Sequence, residues 1–298
     1  MKQNPLAETG SPQSILGALL ADFSWELVPE PLPSTVFVKL LEVFDIDAAS
    51  ARVALERVCK KGLLDRLPSK GRLAQYRLSA SAARRRIESV SRLLQYGSEP
   101  SDWDGTWTLL ITSVPETRKL VRARLRAQLA AEGFACQYDA VWVKPNRRAV
   151  DVAKTVLAEL EIEQGSIYNS EYMPSSSEAG DPRNAFELDK VQSTYIRFIS
   201  EFEKVAQARM VRRTAAECLT LRIRLMDAWR SVIKQDPSLP DALLPAGYAR
   251  GRARDVFLAT YDALGPGAEA CVREIAAQCG IAHTQLRHFP SSLPTTLP

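Results

Sequence analysis

Residues 35–79 read TVFVKLLEVFDIDAASARVALERVCKKGLLDRLPSKGRLAQYRLS. Val36, Phe37, Leu40, Leu41 and Phe44 recur at helical spacing, and Asp45 and Asp47 then mark a turn. A second helix follows, with Ala51, Ala54, Leu55 and Val58 at i, i+3, i+4 and i+7 on its inner side. At about 100° per residue the opposite side carries Val53, Glu56, Arg57 and Lys60, flanked by Arg52. Gly62 stops this helix. Leu63–Leu67 and Arg72–Leu78 read as strands around Pro68-Ser69-Lys70-Gly71. Helix, turn, helix and a hairpin tipped with Lys70 and Arg72 make a winged helix-turn-helix. Such a module sets one helix in the major groove of double-stranded DNA.

Charge agrees with that reading. Between Arg52 and Arg92 twelve basic residues minus three acidic ones leave +9, against +4 for all 298 residues. A field of this size attracts polyanions and weakens with salt. A solvated helix face followed by a linker is the plainer alternative. The 46% hydrophobic and 25% charged content is that of a globular protein. No apolar run approaches the roughly 18 residues of a membrane span, and Met1–Ser14 lacks a signal core, so a cytoplasmic protein with no membrane partner is expected. The five cysteines are scattered without a CxxC pair, and His283 and His288 lie near the end. Neither a metal site nor a cofactor is expected from them.

Outward from the opening stretch, Ile15, Leu16, Leu19, Leu20 and Phe23 form the stripe of a first helix. Pro29–Pro33 makes a stiff connection, and Ser34 is expected as the N-cap of the next helix. Ser79 is expected to cap a long helix to about Gln95, with Arg84–Arg86 solvated. Residues 98–175 then alternate strand, helix, strand, strand, helix, strand, which is a ferredoxin-like βαββαβ layer with two helices on one face of the sheet. Beyond a loop, 184–285 reads as all-helical: 185–213, 214–234, 250–264 and 268–278. The expected fold class is thus α+β and multidomain. It comprises a winged helix-turn-helix with linker helix over 14–97, the ferredoxin-like domain, and an all-helical C-terminal domain. Residues 1–13 and 286–298 are expected to be disordered.

Several strings resemble one family, the PaaX-type regulators named for the repressor of phenylacetate degradation. They are Trp103-Asp104-Gly105-Thr106-Trp107, Val141-Trp142-Val143-Lys144-Pro145, the run Asp236-Pro237-Ser238-Leu239-Pro240-Asp241-Ala242-Leu243-Leu244-Pro245, and Tyr261-Asp262-Ala263-Leu264. The helix Ser50–Lys61 running into Gly62-Leu63-Leu64 is similar as well. The resemblance implies a dimeric repressor of an aromatic-degradation operon, released from its operator by phenylacetyl-coenzyme A or a related aromatic metabolite. The chain departs from the family in having Asp227 where a His is frequent and Tyr248 where a Trp is common.

Sequence readout is expected from Ser50, Arg52 and Arg57, since an Arg fork matches guanine O6 and N7. Lys60, Lys61, Lys70 and Arg72 are expected at phosphates, and Ser34 and Thr35 at a phosphate through a helix N-terminus. For Arg57 the alternative is a surface ion pair. The 185–213 helix, bearing Phe198 and Phe202, would serve as dimer surface or as internal core. An acyl-coenzyme A calls for cations beside aromatics, so Arg222, Arg224, Trp229, Arg230, Tyr248 and Arg250, with Arg252, are candidates to hold it. For Trp229 a core anchor is the favoured reading over a ligand wall. A metal-dependent nuclease would need convergent carboxylates, and the acids of the middle segment sit at scattered loop and helix positions. No GxSxG serine supports a hydrolase. The rival reading is an architectural or regulatory DNA-binding protein without an inducer.

Overall fold

The computed structural model describes residues 10–28, 30–68, 74–98, 103–173, 178–207, 213–281 and 285–292. The chain divides into two compact units, Met1–Gly97 with Ile196–Val232 and Arg250–Pro298, and Ser98–Tyr195 with Ile233–Ala249. Among the described residues, no helix is long and apolar enough to cross a membrane.

The first unit holds α1 (Pro12–Asp22), β1 (Leu32–Pro33), α2 (Ser34–Glu42), α3 (Ala48–Lys60), β2 (Leu64–Leu67), β3 (Gln75–Leu78) and α4 (Ala80–Gln95). Most of α7 (Leu188–Gln207) and α8 (Ala215–Gln235), and all of α9 (Arg250–Gln278), belong to it too. β3 is the central strand of an antiparallel sheet ordered β1-β3-β2, with Tyr76 opposite Leu32 on one side and Arg66 on the other. α1 is apolar nearly all round, and Ile15, Leu16, Ala18, Leu19 and Leu20 are all buried. Such a helix needs cover on several sides. It finds α2, α3 and α4 on the N-terminal side, and Leu219, Ile223, Ala268, Val272 and Leu286 join the same core. The C-terminal helices, expected as a domain of their own over 184–285, therefore share one core with the N-terminal segment. Within this unit Trp229 of α8 stacks on Phe257 at 4.9 Å and meets Phe198 at 5.3 Å.

Two further expectations are corrected here. α9 runs unbroken through Gly265-Pro266-Gly267, where two helices were expected. The glycines let α8 approach: a Cβ on Gly265 would lie 2.4 Å from His288 Nε2 and 3.1 Å from an Arg222 nitrogen, and one on Gly267 would lie 2.5 Å from Cys218 Sγ. Packing thus overrides the local breaking tendency. Residues 286–292, expected in a disordered tail, are bonded in place. Phe23 bridges His288, the Ser24 amide donates to Arg287 O at 2.9 Å, and the Phe289 amide donates to Asp22 O at 3.2 Å.

The second unit holds β4 (Thr106–Thr112), α5 (Lys119–Ala131), β5 (Ala135–Tyr138), β6 (Val141–Lys144), α6 (Ala149–Glu159) and β7 (Gly165–Glu171). The sheet order β5-β6-β4-β7, antiparallel throughout, is ferredoxin-like. Leu110 and Trp142 point to the helix side and pack with Leu125, Leu129, Ala153 and Val156. The other face is covered as well. Trp107 and Val143 meet Phe186, Leu239 and Leu243 there, with Trp103 edge-on to Trp107 at 5.6 Å.

Candidate nucleic-acid interface

α3 is fixed at both ends by its own sequence. At its start the Asp47 carboxylate accepts the amides of Ala49 (2.9 Å) and Ser50 (3.0 Å) and the Ser50 hydroxyl (2.7 Å). The Ser50 amide, then its hydroxyl, then the Ala49 amide hold the Asp47 carboxyl below its ordinary pKa. At its end Gly62 takes a positive φ of 69°, its amide donates to Cys59 O, and Leu63 donates back to Val58 O. This pairing is a Schellman cap, and only the backbone conformation asks for glycine, since nothing lies within 4 Å of a Cβ there. The tight turn from α2 is made by Asp45 at φ 59°. Phe37 of α2 stands edge-on to Tyr76 of β3 at 5.9 Å and beside Trp25 at 6.2 Å. The hairpin is thereby seated on the helices. Desolvation raises the Tyr76 phenol above its ordinary pKa.

With Ala51, Ala54, Leu55 and Val58 buried beneath it, α3 exposes Arg52, Val53, Glu56, Arg57 and Lys60 on one side. Lys61 and, on β2, Arg66 are exposed too. Among the described residues Arg52, Arg57, Lys60 and Lys61 have no ion-pair partner, so the surface ion pair considered for Arg57 is not made. Val53, which the helical repeat places on the outward side but which was not named among the DNA contacts, is 48% exposed in the middle of this cationic side. Ser50 is half-buried and its hydroxyl is bonded to Asp47. Lys70 and Arg72 lie outside the described residues. Ser34 is not a cap: Pro33 holds that position, Ser34 opens α2, and its amide donates to Ala74 O at 3.0 Å. Thr35 is half-buried beside it. Ser79 does cap α4, accepting the Ala82 amide at 3.1 Å. Arg86, expected in solvent, is only 4% exposed; it donates to Phe23 O and lies 4.5 Å over the Phe289 ring.

The residues named for an acyl-coenzyme A line none of the described openings and mostly have partners inside the protein. Arg222 is fully buried and clamps Asp22 through Nε (2.6 Å) and a terminal nitrogen (3.0 Å). It also donates to Tyr261 O (2.5 Å) and Phe289 O (2.9 Å) and covers the Tyr261 ring at 3.6 Å. Tyr261 completes the set by donating to Asp22 at 2.7 Å, and burial pushes its phenol well above the ordinary value. Trp229 is buried and donates to Leu93 O at 3.0 Å, as a core anchor does. Arg224 pairs with Glu201 at 3.0 Å, and Arg252 with Glu203. Burial lowers the pKa of the Arg230 guanidinium despite Asp227 at 3.9 Å. Arg250 is 8% exposed, over the Tyr96 ring. Tyr248 belongs to the second unit, edge-on to Tyr195 at 5.7 Å. The largest opening among those described lies in that unit, a cleft of about 940 Å³ lined by Phe134, Lys144, Asn146, Phe186, Lys234 and Asp236. Desolvation lowers the Lys144 ammonium pKa, and its nitrogen donates to Glu132 O over the Phe134 ring. Among the described residues no three His, Cys, Asp or Glu side chains gather to hold a metal.

Comparison with known proteins now bears on these geometries. Residues 11–82 match the model of the PaaX-like proteins, 100–181 that of the PaaX central Cas2-like domain, and 186–274 that of the PaaX-like C-terminal domain. The chain belongs to the PaaX-type family. It is similar to the transcriptional repressor PaaX of Escherichia coli (strain K12), with 29% identity over 245 residues, 79% of this chain and 75% of that protein. It shares its fold with an uncharacterized protein of Mycobacterium tuberculosis, Rv0674, at TM-score 0.56 and 18% identity over 91% of this chain and 98% of that one. The strings that carried the family resemblance are largely structural. Trp103, Trp107, Val141, Val143, Leu239 and Leu243 all enter the cluster on the outer face of the second sheet.

Proposed function

We propose that this protein is a sequence-specific DNA-binding transcriptional repressor rather than a catalyst, acting in the cytoplasm as a homodimer on a two-fold related operator. One observation carries the reading. α3, capped at both ends, turns Arg52, Val53, Arg57 and Lys60 outward with Glu56 as the single acid among them. On this reading α2, α3 and the β2–β3 hairpin work as a winged helix. Arg52 and Arg57 read guanine edges, Val53 meets a thymine methyl, and Lys60, Lys61 and Arg66 hold phosphates, joined by Lys70 and Arg72 at the hairpin tip. The half-buried Ser50 serves the helix cap first. Thr35 stands beside the phosphates at the start of α2. The name of the E. coli relative, a transcriptional repressor, supports the same role.

The family resemblance supports, as inducer, an aromatic acyl-coenzyme A such as phenylacetyl-coenzyme A, or a related aromatic acid, formed by the pathway whose operon is controlled. Arg222, Trp229 and Arg250 are occupied inside the protein, so the cleft beside Lys144 and Lys234 is the better place for an anion with an apolar end. Its volume falls in the range of ligand sites, about 300–1,000 Å³. Fluorescence anisotropy of the protein with its own upstream intergenic DNA, with and without phenylacetyl-coenzyme A, tests the proposal. Tight binding released by the thioester is expected. Tight binding indifferent to it points to another inducer, or to a DNA-binding protein without one. Absence of specific binding overturns the repressor reading.

A further inference from the structure

α5 of the second unit carries its charge where a helix tolerates it least. Its first turn has no acidic residue and opens with Lys119, although exposed amides make that end favour anions. Lys119 and Arg122 stand three residues apart and Arg122 and Arg126 four apart, so like charges neighbour one another along the helix. Two cations near this end have internal tasks. Arg118 donates to Leu160 O and Glu161 O at 3.3 Å each, and Arg122 donates to Val114 O at 2.8 Å beside Glu116 at 3.7 Å. Lys119, Arg124 and Arg126 have none: they are exposed, without an ion-pair or hydrogen-bond partner among the described residues. Between them lie Ala123 and Ala127, exposed and small, and Leu120, 80% exposed.

A helix selected for its own stability would place acids in this turn. Local rules broken in one place, with no gain inside the unit, mark a surface shaped for a partner. The chemistry of that partner is a polyanion. Lys119 to Arg126 span about 10 Å of helix axis, and a DNA duplex offers one phosphate per about 1.7 Å of its own axis. The small alanines let the helix come close to a phosphodiester chain. An acidic protein would fit less well, because protein interfaces rest on aromatic and aliphatic anchors and this side has Leu120 alone.

We propose that this side of α5 is a second, sequence-independent contact to the phosphate backbone of double-stranded DNA, an inference that rests on the DNA-binding reading above. The test uses the full-length variant K119Q/R124Q/R126Q on two duplexes, the upstream intergenic DNA and a scrambled copy, across a salt series. The slope of log affinity against log salt should fall by about 2–3. Affinity for both duplexes should fall alike, leaving their ratio unchanged, whereas Arg57→Ala should lower the ratio. The triple variant should also melt at or above the wild-type temperature, since it removes repulsion, and this separates lost contact from misfolding. Should it melt lower, Arg124→Gln alone should still reduce the slope by about 0.9. An unchanged slope in a folded variant overturns the α5 contact and leaves α3 untouched. A wild type that binds neither duplex overturns both readings together.

Discussion

Replacing Asp22 by Asn should be among the most damaging single substitutions in this chain, although it removes no volume. The carboxylate at the end of α1 is fully buried and receives three hydrogen bonds: two from Arg222, at 2.6 and 3.0 Å, and one from Tyr261 at 2.7 Å. Asn keeps one acceptor oxygen, turns an NH2 toward an Arg222 donor in place of the other, and leaves a guanidinium buried without its counter-charge. Removing one partner of a buried ion pair costs about 3–5 kcal/mol. At about 2–4 °C per kcal/mol for a protein above 150 residues, the melting temperature should fall by about 6–20 °C. Thermal melting followed by circular dichroism is the assay. Tyr261→Phe removes one hydrogen bond to a charge and should cost less, about 1.5–3 kcal/mol. The double change Asp22→Leu with Arg222→Met removes both charges, so it should recover stability relative to Asp22→Asn. An Asp22→Asn protein melting within a degree or two of wild type would mean that Arg222 has found another counter-charge or water and that the buried pair is not what holds these helices together.

Three other predictions are open to measurement. Arg57→Ala should cost about 1–3 kcal/mol of operator affinity and relax preference at one base pair, whereas Lys60→Ala should weaken all sequences alike and lower the salt slope by about one; competition binding on single-base variants of the operator separates the two. Cys271 is 5% exposed and burial pushes its thiol up to about 11 from 9.0, so its contribution to stability is complete below pH 9 and is lost as pH rises to about 11. Urea unfolding at intervals from pH 8 to 11 should show that decline, about 1.4 kcal/mol per pH unit from this thiol, and alkylation at pH 8 should reach exposed Cys136 first. Gly265→Ala places a Cβ within 3.1 Å of Arg222 and closer still to His288, so it should lower the melting temperature by more than an exposed helix Gly→Ala change, which is normally stabilising.

Which parts of this architecture could be read in the sequence follows from the range of the forces involved. α3 was legible because its inner and outer sides are set by local periodicity, and the cap at Ser79 because capping is a contact over three residues. The βαββαβ order of the second unit was legible for the same reason. Arg222 was misread because its partner Asp22 lies 200 residues away. A signal existed, however. Leu219, Arg222, Met226 and Trp229 share one helical stripe, and a cation in a row of core positions asks for a buried anion elsewhere. Asp22, at the end of an otherwise apolar helix, was the matching anomaly. The breaks expected at Gly265–Gly267 failed differently. Local propensity favours a turn there, but the close approach of Cys218 and Arg222 gives small residues a reason to stand inside a helix.

The pairing of Phe23 with His288, and of Asp22 with Arg222 and Phe289, has a consequence for how the protein is made. A ribosome delivers Leu16, Leu19 and Phe37 long before Ala268, Val272 and Leu286, which complete their core. The N-terminal helices complete their core only once that later segment has been made. A chain cut short before that segment should therefore leave apolar faces of α1 and α2 exposed.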